Sequence, residues 1–360
     1  MEVPPGIQMI GFADDLAVVG LARTGEQLEN LVNPVLDRID GWMVGHGLQL
    51  AHQKTEAVML TRRWAYNPPR LSIGGQQINL KNHLRYLGVI LDTRLSFGKH
   101  VETVAKKAAT SAAALGRIMP NINGPGQWKR RLLGSVVESQ LLYAAPVWAA
   151  SVCGTAKSIR NLRRPQRVAA LRAIRAYRTV SDEAAFVLSN MLPVDLIARE
   201  KVRIKSRYND EPNPGDPPVS RDRIKREERK ATIAEWQMRW SISGKAAWTR
   251  RLIPDLVRWY NRTTPVVPWT YHMTQALTGH GCFQFYLHRF ARAASPRCVH
   301  CQCPSDTAEH TLFHCENWNG LRTDLRERLG HPPTSADVPD ILCGPLFEDL
   351  PIDGYQRTIA

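Results

Sequence analysis

Two groups of residues in this chain have types and spacings that suit chemistry. The first is a pair of adjacent carboxylates, Asp14 and Asp15, within QMIGFADDLAVVG, residues 8–20. Successive strand residues point to opposite faces, so neighbouring carboxylates converge on one site only where the chain turns. The apolar runs on either side predict a β-hairpin turning at Asp14-Asp15, with Gly20 ending its second strand. Mg²⁺ suits such a pair: it prefers a few hard carboxylate oxygens, keeps several waters and takes other ligands from substrate phosphates. Two such ions about 4 Å apart activate a 3′ hydroxyl and stabilise a leaving pyrophosphate, which is polymerase chemistry. Phe-Ala-Asp-Asp alone also fits an ordinary turn, so the decision rests on what surrounds it.

The second group is CVHCQCPSDTAEHTLFHC, in which Cys298, Cys301, His310 and Cys315 are separated by two, eight and four residues. Soft thiolates and one imidazole at this spacing suit tetrahedral Zn²⁺. Four protein ligands leave no open position, so the zinc would be structural and would drive local folding. On spacing alone, Cys303 could stand in for Cys301 and His314 for His310. The seven cysteines, four of them between 298 and 315, indicate metal binding in a reducing compartment rather than a disulfide framework. Cys153, Cys282 and Cys343 are isolated and read as packing residues.

The charge balance points to a partner. Lys and Arg total 48 against 33 Asp and Glu, a net +15 over 360 residues, which favours polyanions, nucleic acid first and anionic membrane second. Residues 157–178, KSIRNLRRPQRVAALRAIRAYR, hold eight basic residues and no acidic one. On a helix, Arg160, Arg163, Arg164 and Arg167 fall on adjoining turns and would neutralise phosphates. Trp236, Trp240 and Trp248 lie among basic residues further on and read as core. No apolar run is long enough to cross a bilayer, and MEVPPGIQ lacks the pattern of a signal peptide.

The elements that must position these residues follow from patterning. Thr24-Gly-Glu-Gln27 forms a capping box ahead of a helix with Pro34 inside it, stopped by Gly45 and Gly47. An extended segment around Lys54 comes next, then a hairpin turning at Gly74-Gly75, then a buried strand over residues 85–91. From His100 the pattern is helical: Val101, Val104, Ala105, Ala108, Ala112, Leu115 and Ile118 form one stripe, and a second helix runs from Gln127 to Pro146. The Pro- and Asp-rich stretch 209–222 reads as a linker.

GFADDLAVV resembles the catalytic hairpin of reverse transcriptases, a Tyr or Phe, any residue, then Asp-Asp. LQLAHQKTEAVML resembles the segment after that hairpin in non-LTR retrotransposon enzymes, and LRYLGVILDTRLSFGKHV resembles their primer-gripping block. LLYAAPVWA, AYRTVSDEAAFVLSNMLPVDL and TGHGCFQFYLHRF resemble helical and C-terminal regions of the Pol polyproteins of arthropod type-1 retrotransposable elements. The resemblance implies an α+β fold: the end of a reverse transcriptase palm over 1–98 and a helical thumb over 99–150. A basic connector over 151–208, the linker, a Trp-containing helical region over 223–295, a zinc knuckle over 296–320 and a tail over 321–360 complete it.

Residue by residue, the resemblance makes Asp14 a Mg²⁺-binding carboxylate and Asp15 its partner, with Lys54 a charge stabiliser or acid near the pyrophosphate. Lys54 also fits a solvated strand end. Phe12, Tyr86 and Gly88 are placed by the primer, and the family motif selects Cys301 and His310 as zinc ligands. The implied partners are an RNA template, a DNA target and primer, and dNTPs, in an intracellular, nuclear setting. In this family a further metal-binding Asp, the fingers and an endonuclease precede the hairpin, whereas thirteen residues precede Asp14 here. The expectation is therefore a C-terminal piece of a polyprotein, inactive as a polymerase alone, with no nuclease centre around Pro339-Asp340. The other reading is a non-catalytic remnant that binds nucleic acid through its zinc knuckle and basic helices.

Overall fold

The computed structural model describes residues 3–210, 220–262 and 269–344, and it divides into two units, Met1–His100 and Val101–Ala360. Residues 211–219 of the expected linker and 345–360 of the expected tail lie outside the described residues. The architecture is mixed, helices with small sheets.

In the first unit β1 (Ile7–Phe12) and β2 (Asp15–Gly20) form an antiparallel hairpin, and α1 (Gly25–Gly45) follows. The Thr24 hydroxyl accepts from the Gln27 N–H at 3.2 Å, which supplies one of the N-terminal amides with a partner. Pro34 does not end α1. Short pieces come next: β3 (Ala57–Val58), β4 (Leu71–Ile73), β5 (Gln76–Ile78), β6 (Leu80–Lys81), β7 (His83–Tyr86) and β8 (Val89–Asp92). They pair two by two, β3 with β6 in parallel, β4 with β5 and β7 with β8 in antiparallel. Val32, Val35, Leu36 and Ile39 of α1 bury against Ile7, Leu71, Ile73 and Ile78.

Gly74 and Gly75 both have positive φ, as a two-residue hairpin turn requires. A Cβ on Gly74 would lie 2.5 Å from the His52 ring, whose Nε2 is 2.7 Å from Asp40 Oδ1, so only glycine fits under that pair. Two expectations fail in this unit. Residues 85–91 are not one buried strand but a hairpin, with φ +45° at Leu87 and +83° at Gly88 in the turn between β7 and β8. The segment at Lys54 is a 3₁₀ turn, His52–Lys54, rather than extended chain.

The second unit is helical. α2 (Gly98–Arg117) buries Val101, Ala105, Ala108 and Ala112, but Ile118 is exposed and Met119 takes the buried position. The expected helix from Gln127 to Pro146 is two, α3 (Gln127–Leu141) and α4 (Ala145–Val152), broken at Ala144 with φ +50°. Pro146 starts α4 rather than ending a helix, because the first turn needs no N–H from it. α5 (Ala156–Ala173), α6 (Asp182–Ser189), α7 (Val194–Asn209) and α8 (Arg221–Ser241) pack around them. Shorter helices follow: α9 (Ala247–Leu252), α10 (Leu256–Tyr260), α11 (Tyr271–Thr278), α12 (Gln284–Arg289), α13 (Asn319–Leu329) and α14 (Val338–Cys343). Apolar faces and indoles fill this core. Trp240 Nε1 donates to the Ile253 carbonyl at 2.8 Å and Trp259 Nε1 to that of Val187 at 2.7 Å. The tryptophans of α8 are core, as their patterning implied.

Arg130 is wholly buried without a carboxylate. Its guanidinium donates to the carbonyls of Pro125 at 2.9 Å, Asn123 at 3.0 Å and Arg172 at 2.7 Å, tying the α2–α3 loop to the end of α5. Burial, then the nearby Arg175 and Arg172, push its pKa down to about 10.

Candidate functional site

The first candidate site is the tip of the β1–β2 hairpin. Ala13 and Asp14 are the two turn residues, and Asp15 opens β2 opposite Phe12. Ala13 takes φ +52°, so the chain reverses tightly enough to leave Asp14 and Asp15 side by side at one end of the hairpin. Both carboxylates are exposed. Phe12 is 62% exposed, and Ile10, Leu16 and Val19 are exposed with it, so this is not the buried core strand that its apolar composition suggests. Lys54 is exposed at the end of its 3₁₀ turn. Tyr86 closes β7, its hydroxyl buried without a hydrogen-bond partner among the described residues, and Gly88 lies in the next turn. No side-chain hydrogen bond or ion pair joins Asp14, Asp15, Lys54 and Tyr86 to one another among the described residues. Among the described residues, the one group of three or more His, Cys, Asp or Glu side chains placed to hold a metal lies elsewhere, and none of them stands beside Asp14 and Asp15 as a third ligand.

That group is Cys298, Cys301, His310 and Cys315, with ligand atoms all within 4.8 Å of one another. Cys298 Sγ lies 3.8 Å from Cys315 Sγ, and Cys301 Sγ 3.2 Å from His310 Nε2. A tetrahedron with Zn–S bonds of about 2.3 Å has S···S edges of roughly 3.8 Å, so the spacing fits four-coordinate zinc. Local backbone builds it. Gln302, with φ +60°, closes a knuckle in which its N–H donates to the Cys298 carbonyl at 3.1 Å. His310 opens the turn His310–His314 and Cys315 follows it directly, its N–H donating to the His310 carbonyl at 2.8 Å. Cys303 Sγ instead faces the Ser305 carbonyl at 3.9 Å, and His314 is exposed, so neither alternative ligand joins the cluster. Burial would raise the Cys298 thiol, but the N–H groups of Cys301 and His300 outweigh it and hold the pKa below the ordinary thiol value. Burial pushes Cys315 up to about 11. Asp306 ties the module down: its carboxylate accepts from the Gln284 N–H at 2.9 Å and the Thr311 hydroxyl at 2.8 Å. Of the three isolated cysteines, Cys153 and Cys343 are buried, but Cys282 is exposed and is not a packing residue.

The arginine stripe of α5 lines a groove of about 490 Å³ in the second unit. Arg160, Arg163, Arg164 and Arg167 form one wall, and Arg199 of α7, Arg239 of α8 and Lys245 join them. Asp195 lies beneath, its side chain 1% exposed, receiving Arg163 Nε at 2.9 Å and Arg239 Nη1 at 2.5 Å. Its burial would raise the carboxyl pKa, but the Arg163 charge and then Arg239 outweigh this and hold it below the usual range. Arg167 donates to the carbonyls of Arg178 at 2.5 Å and Val180 at 2.6 Å, and Lys245 pairs with Asp182 at 3.3 Å. Arg160 and Arg164 are exposed and have no hydrogen bond or ion pair among the described residues. Sequence reading found four of these seven cations. It missed Arg199, Arg239 and Asp195, which come from α7 and α8, and Lys245, which lies between α8 and α9; the one clue was an Asp inside the apolar run MLPVDLIA.

Comparisons place the chain among known proteins. Over 330 residues, 89% of this chain and 32% of the relative, it is 28% identical to a retrovirus-related Pol polyprotein from type-1 retrotransposable element R1 of Bradysia coprophila. Over 333 residues, 88% of this chain and 80% of the relative, it is 26% identical to the corresponding R1 2 polyprotein of Nasonia vitripennis. Over 341 residues, 91% of this chain, it is 27% identical to a putative 115 kDa protein in type-1 retrotransposable element R1DM of Drosophila melanogaster. The chain spans 32% of the length of the Bradysia and Drosophila relatives. No family model and no solved structure matches it. Along nearly nine-tenths of its length, the chain is thus similar to the Pol polyproteins of R1 type-1 retrotransposable elements.

Proposed function

We propose that this chain is a C-terminal segment of a retrotransposon polyprotein that carries out RNA-directed DNA polymerisation, primed from nicked chromosomal DNA in the nucleus. The observation that carries the reading is a two-residue hairpin turn presenting Asp14 and Asp15 together, in a chain related to R1 Pol polyproteins over most of its length. Asp14 and Asp15 would hold Mg²⁺: their hard oxygens suit it, and their exposure leaves room for the waters it retains. When bound, the metal supplies 3′-hydroxyl activation and neutralises charge on the departing pyrophosphate. Lys54 contributes a cation near that pyrophosphate, and Phe12, Tyr86 and Gly88 lie along the primer end. Asp14 and Asp15 are two of the metal-binding carboxylates this chemistry needs, and a further Asp must join them before the chain polymerises.

In the second unit, the proposal assigns a structural Zn²⁺ to Cys298, Cys301, His310 and Cys315, with nucleic-acid phosphates on the α5 arginines. The convergence of Cys298, Cys301, His310 and Cys315 and the arginine-lined groove, both assembled within the second unit, favour a second reading: a non-catalytic nucleic-acid-binding remnant acting through the zinc module and basic groove.

Extension assays separate the two. The chain is joined to the preceding region of the Bradysia relative and assayed for RNA-templated DNA synthesis, with the intact relative as the positive control. The polymerase reading predicts synthesis that falls by at least about 10²-fold in Asp14→Asn, the loss of several kcal/mol of transition-state stabilisation. Synthesis indifferent to Asp14 contradicts the assignment. A zinc-loaded chimera without synthesis favours the remnant.

A further inference from the structure

Beyond the basic groove, the second unit carries an aromatic surface that the proposed function does not use. Tyr286 and Phe290, on and just after α12, have ring centroids 4.9 Å apart, and His280 lies 4.9 Å from Tyr286 on its other side. Tyr177 is 6.1 Å from Tyr286. Phe290 is 45% exposed, so an apolar ring face stands in solvent at the end of the row. Arg289 lies beside it, its guanidinium 6.0 Å from the Phe290 ring.

The row joins the groove through one residue. The Arg167 guanidinium, in the groove wall, donates to the carbonyls of Arg178 and Val180. Thr179 between them lies against the aromatic row: its hydroxyl is 3.0 Å from His280 Nδ1 and 2.6 Å from the Tyr286 hydroxyl. The segment Arg178–Val180 thus touches both the Arg167 end of the groove and the ring row at Tyr286.

Duplex nucleic acid satisfies a row of arginines with its phosphates but has no free base faces to offer the rings. A single strand offers both, and stacking on aromatic side chains tolerates any base. The buried Asp195 under Arg163 and Arg239 leaves the wall strongly cationic, since two carboxylates, Asp182 and Asp195, face seven cations there. We propose that the α5 groove and the Tyr286–Phe290 ledge form one binding track for single-stranded nucleic acid, with phosphates on Arg160 and Arg164 and a base on Phe290. This rests on the reading of the groove as a phosphate site and adds the form of nucleic acid it takes.

The test is fluorescence anisotropy of the full zinc-loaded chain with an unstructured 20-nucleotide oligo-dT or oligo-U and with a 20-base-pair duplex, over a salt series. Circular dichroism and zinc content equal to wild type check that each variant is folded. The track predicts tighter binding of the single strand. Phe290→Ala should weaken single-strand binding about 5- to 150-fold and leave duplex binding unchanged, with Phe290→Trp restoring it. Replacing Arg160 and Arg164 together by Ala should lower the single-strand salt slope by about 1.4. Equal affinity for both forms, with Phe290→Ala silent, overturns the single-strand track while the phosphate reading stands. Binding that ignores the arginine replacements overturns both.

Discussion

In the unit of residues 1–100, the carboxylates assigned to a metal stand in solvent at the tip of a two-stranded hairpin, beside exposed Ile10, Phe12, Leu16 and Val19. In the unit of residues 101–360, the groups assigned to a metal converge within 4.8 Å and three of the four are buried. The same contrast runs through the other charges. Asp195 is enclosed by two guanidiniums, whereas Asp14, Asp15 and Lys54 have no ion-pair partners among the described residues. The lesson is about completeness. The four candidate zinc ligands all come from residues 298–315, so the chain closes that site by itself. A polymerase centre must leave positions open for substrate, and its carboxylates gain a fixed geometry only from a metal and further ligands.

The largest expected effect breaks the closed side. Cys315→Ser, or treatment with a strong chelator, should release the zinc and unfold the segment around residues 298–315, because apparent zinc affinities in such modules are about 10–16 kcal/mol. Metal content by mass spectrometry and limited proteolysis report it. Cys303→Ser and His314→Ala should keep one zinc per chain, since neither side chain joins the cluster. Zinc lost from either would mean the alternative ligand set is the real one.

Next in size is Asp195→Asn, which leaves Arg163 and Arg239 without their carboxylate. Removing one partner of a buried pair costs about 3–5 kcal/mol, and the arginines, 26% and 33% exposed, put this one near the low end. Urea unfolding measures it. Asp195 has a depressed pKa, so its stabilisation is present above the ordinary carboxylate range and is lost as pH falls below it. Asp195→Asn should remove that acid-limb dependence. An unchanged acid limb would mean that Asp195 does not organise the groove.

Glu138 has the opposite sign. Burial raises its pKa from 4.5 to about 7, with hydrogen bonding from Gln166 opposing. Its protonated form favours the fold, so its contribution is full below pH 4.5 and is lost as pH rises through 7. Glu138→Gln should flatten stability over that window, measured by thermal unfolding at a series of pH values. The smallest effect belongs to the open side. Thr24→Ala removes the α1 cap at a cost of about 1 kcal/mol, read by hydrogen exchange of the first-turn amides. Faster exchange confined to residues 1–100 would confirm that this unit is stabilised separately.

What the sequence disclosed follows from how local each feature is. The zinc ligands lie within eighteen residues, and the hairpin turn is bounded by its own two strands, so both are visible as spacing, although the turn falls at Ala13-Asp14, one residue before the expected Asp14-Asp15. The strand expected over 85–91 failed because RYLGVIL is a short apolar run, and such runs do not disclose whether the chain reverses; Gly88 was the signal for the turn. Pro146 was read as a terminator although it starts α4, an ambiguity inherent in proline. The groove was half legible. The α5 arginines repeat at helical spacing, but Arg239 reaches Asp195 across 44 residues of sequence, and no periodicity reports that.

The most direct test of the contrast is a pair of metal titrations of the full chain by calorimetry, Zn²⁺ into metal-free protein and Mn²⁺, as a Mg²⁺ probe, into the zinc-loaded protein. One tight stoichiometric Zn²⁺ site and no tight Mn²⁺ site is the predicted result: a complete structural centre and, at Asp14 and Asp15, a metal site that needs a further ligand. A tight stoichiometric Mn²⁺ site abolished by Asp14→Asn would contradict it, because Asp14 and Asp15 would then belong to a metal centre that this chain completes alone.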